Sequence, residues 1–150
     1  MQPYYEAIIK REAKHFLAEF PDCPGCQTFA DSIDEVVNAA EEALEVWLES
    51  HLAHGEVPPK SKQHRRHPPN AKVARVPVRA GLWAALMVRW ARSEAGLSQA
   101  ELARLANVSQ QQIAKIENPD MNPTVGTLEK VAKALGLVLN LGFVMADVRR

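Results

Sequence analysis

The sequence predicts an α+β N-terminal part, a small antiparallel sheet with an amphipathic helix, joined by a Pro-rich linker to a mostly α C-terminal part. Three observations carry that expectation. Apolar residues near the N-terminus recur with period two and switch to helical spacing from Ile33 onward. Residues 53–70 read AHGEVPPKSKQHRRHPPN, with two Pro-Pro pairs and almost no large apolar side chain, a composition suited to an extended connection rather than a core. Beyond it, two helix-start signals follow one another closely, at Ser98 and Ser109. The expected boundaries are 1–57, a linker over 58–71, and 72–150.

Composition bounds the function classes. With 47% hydrophobic and 24% charged residues among 150, the chain has the make-up of an ordinary globular protein. No apolar run approaches the roughly 20 residues that a membrane helix needs. The segment Met1–Lys10 lacks a basic stretch followed by an apolar run and a cleavage site, so a cytoplasmic location is expected. The net charge of zero conceals a division. Residues 1–59 hold three Lys or Arg against twelve Asp or Glu, a balance of −9, and residues 60–150 hold fifteen against six, a balance of +9. Halves of opposite sign suit different partners, a polyanion such as DNA for the basic half and a basic protein for the acidic one.

In the N-terminal part, Tyr4–Arg11 and His15–Phe20 read as strands of an antiparallel hairpin, with Phe16, Ala18 and Phe20 on one face. Pro24-Gly25 turns the chain into a short run over Cys26–Phe29. Ser32, with Glu35 three residues later, has the spacing of a capping box. It opens a helix whose Ile33, Val36, Val37, Ala40, Leu44, Trp47 and Leu48 form one apolar face, with Glu41, Glu42, Glu45 and Glu49 largely elsewhere. That helix is expected to pack on the sheet.

The C-terminal part opens with a β-like run, Lys72–Arg79, which Pro77 would confine to an edge or a strand end. Four helices follow. The first spans about Gly81–Ala95, with Gly96 placed to stop it in a left-handed conformation. The chain finishes with Val138, Leu139, Leu141, Phe143 and Val144, read as a strand. That strand would pair either with Lys72–Arg79 or across a homodimer or higher oligomer, with Val138, Leu139, Leu141 and Phe143 as dimerisation residues.

The central motif is LSQAELARLANVSQQQIAKIEN, Leu97–Asn118. Ser98 and Glu101 have capping-box spacing, and Ser109 can cap the next helix. Asn107 stands between the two helices, where the turn needs positive φ, and Asn is among the few non-glycine types that adopt it readily. Ala103 is small where the helices should cross, and Leu102, Val108, Ile113 and Ile116 supply the apolar contacts. This is a helix-turn-helix pattern. Its second helix exposes Gln110, Gln111, Gln112, Lys115 and Asn118, a set rich in amides and poor in acids. Gln pairs bidentately with the N6 and N7 edge of adenine, and Lys reaches guanine acceptors or phosphate. Gln99, at the start of the preceding helix, is placed for a phosphate contact.

Over about Leu82–Leu137 these residues resemble the lambda-repressor-like, Cro-type helix-turn-helix family, with Asn107 replacing the usual Gly. The resemblance implies that Gln99, Gln110, Gln111 and Lys115 face operator DNA, with Ser109 and Asn118 flanking as phosphate contacts. The run FPDCPGCQTFADSIDEVVNAAEEALEVWLE, preceded by YYEAIIK and HFLAEF, is similar to the HicB family of antitoxins. That likeness implies a partial RNase H-like N-terminal domain that binds a small, basic, HicA-like RNA-cleaving toxin, while the helix-turn-helix domain represses the shared operon. Charge and resemblance together point to Phe20, Asp22, Gln27, Phe29, Glu42, Glu45 and Glu49 as toxin-contacting residues.

An RNase H-like outline raises the question of nuclease chemistry, which requires carboxylates converging on divalent ions. Asp22 and Asp31 fall in turns and the Glu residues on a helix surface, so neither catalytic residues nor a resident metal or cofactor is expected. Cys23 and Cys26 form CPGC. The sole candidate second half of a zinc site is His64 and His67, far along the chain, and the motif surrounds a turn rather than opening a helix. The alternative is a free-standing transcription regulator whose N-terminal domain senses a ligand or metal through those cysteines.

Overall fold

Period-two alternation yields a hairpin. In the computed structural model, which describes residues 1–146, β1 (Tyr4–Glu12) and β2 (His15–Glu19) pair antiparallel in the register Ile9↔Ala18 and Glu12↔His15. The two-residue connection places Ala13 at φ 52°. β3 (Gln27–Ala30) pairs with β2, and β4 (Lys72–Pro77) pairs with β1, so the sheet runs β3-β2-β1-β4, all antiparallel. Directly opposed residues share a face. Tyr5, Ala7 and Ile9 of β1, Ala18 of β2 and Val76 of β4 therefore lie on one face, and all are buried.

α1 (Ile33–Ala53) begins where Ser32 Oγ accepts a hydrogen bond from the Glu35 amide at 3.2 Å. It buries Val36, Ala40, Leu44 and Leu48, the expected stripe. That stripe and the apolar face of the sheet are the two surfaces of this unit that have most to gain from leaving water.

The chain divides into two compact units, one built on residues 1–51 and 58–78, the other on 52–57 and 79–143. In the second unit α2 (Ala80–Glu94), α3 (Gln99–Ala106), α4 (Gln110–Ile116) and α5 (Val125–Ala134) surround a core of Val88, Leu102, Ala103, Ile113, Ile116 and Val131. Val108, Leu128, Ala134 and Leu135 pack against it. Gly96, at φ 67°, ends α2 with its amide bonded to the Ser93 carbonyl at 3.0 Å.

Three expectations need correction. Lys72–Pro77 does not open the helical unit and does not pair with residues 138–144; it is the outer strand of the N-terminal sheet, bonded along β1. An edge position tolerates the Pro77 imide, which has no hydrogen to give.

Residues 58–71 are not a bare linker. Pro58 is fully buried, and residues 59–64 are strapped to the unit that contains the sheet. Tyr5 Oη donates to the Pro59 carbonyl at 2.6 Å, Ser61 Oγ to the Gln2 carbonyl at 3.4 Å, and Gln63 Nε2 to Tyr4 Oη at 3.1 Å. The Lys62 amide donates to Asp22 Oδ2 at 2.8 Å and the His64 amide to Glu6 Oε2 at 3.0 Å. An extended chain leaves its amides and carbonyls unpaired, and Tyr5 and Glu6 of β1 with Asp22 of the β2–β3 turn satisfy three of them.

No strand forms over 137–146, where Val138 and Phe143 are almost wholly exposed. β4 keeps its outer edge open, but residues 137–146 form no ladder along it, and an exposed segment satisfies its backbone groups with water instead. The last four positions of the expected 72–150 range lie outside the described residues.

Candidate nucleic-acid interface

The helix-turn-helix is assembled by local rules. Ser98 Oγ accepts from the Glu101 amide at 3.1 Å, and the Glu101 carboxylate accepts from the Ser98 amide at 2.7 Å, closing a reciprocal capping box. The Ser98 backbone hydrogen bond, joined by the Ser98 hydroxyl, holds the Glu101 carboxyl below the usual carboxylate range. Asn107 ends α3 at φ 55°, ψ 47°, and the Val108 amide reaches back to the Ala103 carbonyl at 3.0 Å. Ser109 then caps α4, its Oγ accepting from the Gln112 amide at 3.1 Å.

This geometry buries Ile113 and Ile116 and leaves Ser109, Gln110, Gln111, Gln112, Lys115 and Asn118 exposed. Asn118 Oδ1 accepts from the Asp120 amide at 3.0 Å, which stiffens the turn after α4. Gln110, Gln111 and Lys115 thus sit on the solvent side of a helix whose other side is fixed in the core. That placement suits base-edge readout.

Gln99 is placed differently from the expectation. It is half-buried, and its Nε2 donates to Glu117 Oε2 at 3.0 Å, so one amide hydrogen is committed inside the protein. Glu117 itself, 3% exposed, is the centre of a network that the sequence reading missed. Arg89 Nε donates to its Oε2 at 2.8 Å, Arg92 Nε to its Oε1 at 2.5 Å, and Arg92 Nη2 to Oε2 at 3.0 Å. Arg89 Nη1 also reaches the Glu56 carbonyl at 3.2 Å, and Arg92 Nη1 the Leu97 carbonyl at 2.9 Å. Burial pushes the Glu117 carboxyl up. Hydrogen bonds from Arg92 and Gln99 and the charges of Arg89 and Arg92 outweigh it and hold the group below its ordinary value. The signal was present in the spacing, since Glu117 follows Ile113 by four and so falls on the buried face of α4.

In the other unit the proposed toxin contacts separate into two groups. Phe20 is 3% exposed and belongs to the core. The Asp22 side chain is 8% exposed and is taken up by the Lys62 amide and by His64 Nε2 at 3.1 Å. Neither is presented to a partner. Gln27 and Phe29 lie on β3, an outer strand, with Phe29 54% exposed, and Glu42 is exposed while Glu45 and Glu49 are half-buried on α1.

Cys23 and Cys26 are both buried and unlinked. Burial, reinforced by Cys26 and Asp22, pushes the Cys23 thiol far up, and burial pushes the Cys26 thiol up to about 11. They flank a turn in which the Cys26 amide bonds the Cys23 carbonyl at 2.9 Å. The strap brings His64 to Asp22, next in sequence to Cys23, which the separation along the chain had hidden. Among the described residues no group of three or more His, Cys, Asp or Glu side chains is arranged to hold a metal ion. No described helix is long and apolar enough to cross a membrane.

Comparison with known proteins agrees with the second unit. A helix-turn-helix family model matches residues 88–138. The immunity repressor protein of Bacillus phage phi105 is 48% identical over 46 residues, 31% of this chain and 32% of that protein. A UPF0150 protein of Archaeoglobus fulgidus is 40% identical over 42 residues, 28% of this chain and 61% of that protein. The chain thus spans about a third and about three fifths of these curated relatives. A chain from a solved HicA3 and HicB3 toxin-antitoxin complex aligns at TM-score 0.44 and 23% identity, covering 51% of this chain and 98% of that one. The architecture is an α+β unit followed by a helix-turn-helix domain.

Proposed function

We propose that this chain is a HicB-type antitoxin and autorepressor, which reads operator DNA with α4 and masks a small basic toxin with its N-terminal unit. The DNA-reading half rests on one observation: Gln110, Gln111 and Lys115 stand exposed on a helix whose opposite face is locked by Ile113, Ile116 and the Glu117 network. Helix-turn-helix proteins present base-contacting side chains in this way. Ser109 and Asn118 border that surface, and Gln99 keeps a second amide hydrogen for a phosphate. The likeness of a 46-residue stretch of the chain to a phage immunity repressor supports a repressor role.

The toxin-binding half is supported by the charge of α1. It carries Asp34, Glu35, Glu41, Glu42, Glu45 and Glu49 and no Lys or Arg. An acidic helix attracts a basic RNA-binding partner and speeds the encounter. Phe29 and Gln27, exposed on the outer strand β3, give an apolar and amide complement for specificity. Val138, Leu141 and Phe143, exposed beyond α5, with Leu139 beside them, are the dimerisation surface in this reading. A dimer would place two α4 helices on half-sites about 34 Å apart or a multiple of that.

Co-expression with the small reading frame beside its gene tests the proposal. A basic neighbour that arrests growth alone, and that co-purifies with this chain when growth is restored, is the expected result. Growth arrest unrelieved by this chain, or no arrest at all, would return the function to DNA binding alone. A sensing role for CPGC gains nothing from thiols that are buried and protonated.

A further inference from the structure

The DNA-reading unit is poor in the charge that DNA binding needs. Residues 52–57 and 79–143 hold seven Lys or Arg against six Asp or Glu. Arg89 and Arg92 are spent on Glu117, Arg79 pairs with Asp120 at 3.6 Å, and Lys133 pairs with Glu129 at 3.4 Å. Affinity for duplex DNA is supplied mainly by neutralising phosphates and releasing their counterions. A unit so close to neutral has little of that term.

The missing cations are on the other unit. Residues 57–93 contain nine Lys or Arg and no Asp or Glu, and six of the nine, Lys60, Lys62, Arg65, Arg66, Lys72 and Arg75, lie in the strap and β4. The strap is not a floating basic tail. Its backbone amides at Lys62 and His64 occupy the carboxylates of Asp22 and Glu6, while the side chains of Lys62, Arg65 and Arg66 stay exposed. Arg75 lies opposite Glu6 in the sheet, with its guanidinium carbon 5.1 Å from the centre of the Tyr4 ring, and the Tyr4 hydroxyl accepts from Gln63 of the strap. Arg75 thus meets the strap at Tyr4 and Glu6, which hold Gln63 and the His64 amide, and Lys62, Arg65 and Arg66 flank those two residues in sequence. Arg65 and Arg66 have no ion-pair partner among the described residues.

We infer that this strap is a second nucleic-acid surface, a sequence-independent clamp on the phosphates of duplex DNA that supplies the electrostatic affinity α4 lacks. The inference rests on the reading of α4 as the base-reading helix. A basic toxin is the wrong partner for the patch, because like charges repel. Being tethered to the same duplex by α4 raises the effective concentration of phosphate around the strap.

The test uses the full chain, the duplex upstream of its own gene and a random duplex of equal length, with affinity followed by fluorescence anisotropy from 50 to 200 mM salt. Arg65→Ala/Arg66→Ala is expected to flatten the slope of log affinity against log salt by about 1.8, at about 0.9 per lost contact. The loss falls equally on both duplexes, so sequence preference survives. Arg75→Ala, on a different element, is expected to flatten it by about 0.9. Gln110→Ala/Gln111→Ala is expected to do the converse, keeping the slope and losing the preference. Unchanged slopes in the strap variants, with unfolding midpoints like that of the parent, overturn the clamp and leave α4 standing. A parent chain with no preference for the upstream duplex sinks the α4 reading, while a flattened slope still upholds the clamp. Flattening on a single-stranded RNA alone assigns the strap to RNA and overturns the proposal.

Discussion

Arg89 and Glu117, 28 residues apart in the chain, form a buried ion pair with Nε and Oε2 separated by 2.8 Å. The pair joins the middle of α2 to the C-terminal end of α4, and Gln99 brings the start of α3 to the same carboxylate. The second helix of the helix-turn-helix, α4, is therefore held at its far end by charge as well as by Ile113 and Ile116.

Removing that carboxylate strands two guanidinium groups. Glu117→Ala is expected to cost about 3–5 kcal/mol, the usual penalty for leaving a buried charge without its partner. Urea denaturation of the full chain measures it; a loss below about 1 kcal/mol would mean that water reaches Arg89 freely.

The same group gives the domain an acid-sensitive limb. Glu117 titrates below its ordinary value of 4.5 when folded, so the unfolded chain takes up the proton first as pH falls. Its stabilisation is complete above the unfolded value and drains away as pH drops through the folded one. Unfolding free energy measured from pH 7 to pH 3 is expected to fall less steeply in Glu117→Gln than in the parent.

Base readout by α4 predicts a different signature. Gln110→Ala or Gln111→Ala is expected to weaken specific operator binding by about 1–3 kcal/mol while leaving toxin binding unchanged. Equal weakening on random duplex would assign these residues to the backbone instead.

Asn107 holds a left-handed conformation at φ 55°. Asn107→Gly is expected to be neutral or stabilising, whereas Asn107→Ala is expected to cost about 1 kcal/mol, because a Cβ without a polar partner meets the left-handed penalty. Thermal unfolding of both variants checks the order.

Cys23 and Cys26 are expected to resist a thiol reagent at pH 8 in the folded protein and to react at once in denaturant, since burial disfavours the thiolate. Rapid labelling without denaturant, or zinc that remains bound through dialysis and is lost in Cys26→Ser, would restore the sensing reading.

Much of this architecture was legible in the chain because it depends on neighbours. The Ser98 and Ser109 caps, the left-handed Asn107, the Gly96 stop and the stripe from Val36 to Leu48 are set by residues within a turn or two of one another. The exposed face of α4 followed from the same periodicity. Charge summed along the sequence was a poorer guide. Residues 1–59 carry −9, yet residues 1–51 with 58–78 hold nine Lys or Arg against eleven Asp or Glu, because β4 and the strap return six cations to the acidic unit.

Local spacing, acting through backbone geometry, thus determined the helices, their caps and the side chains that α4 exposes. Tertiary structure decided which distant segments met: β4 beside β1, the Pro-rich strap against Asp22 and Glu6, and Arg89, Arg92 and Gln99 around Glu117. Those choices belong to unpaired strand edges and buried charges. Such groups must find a partner somewhere in the fold, and nothing in their immediate sequence says which one.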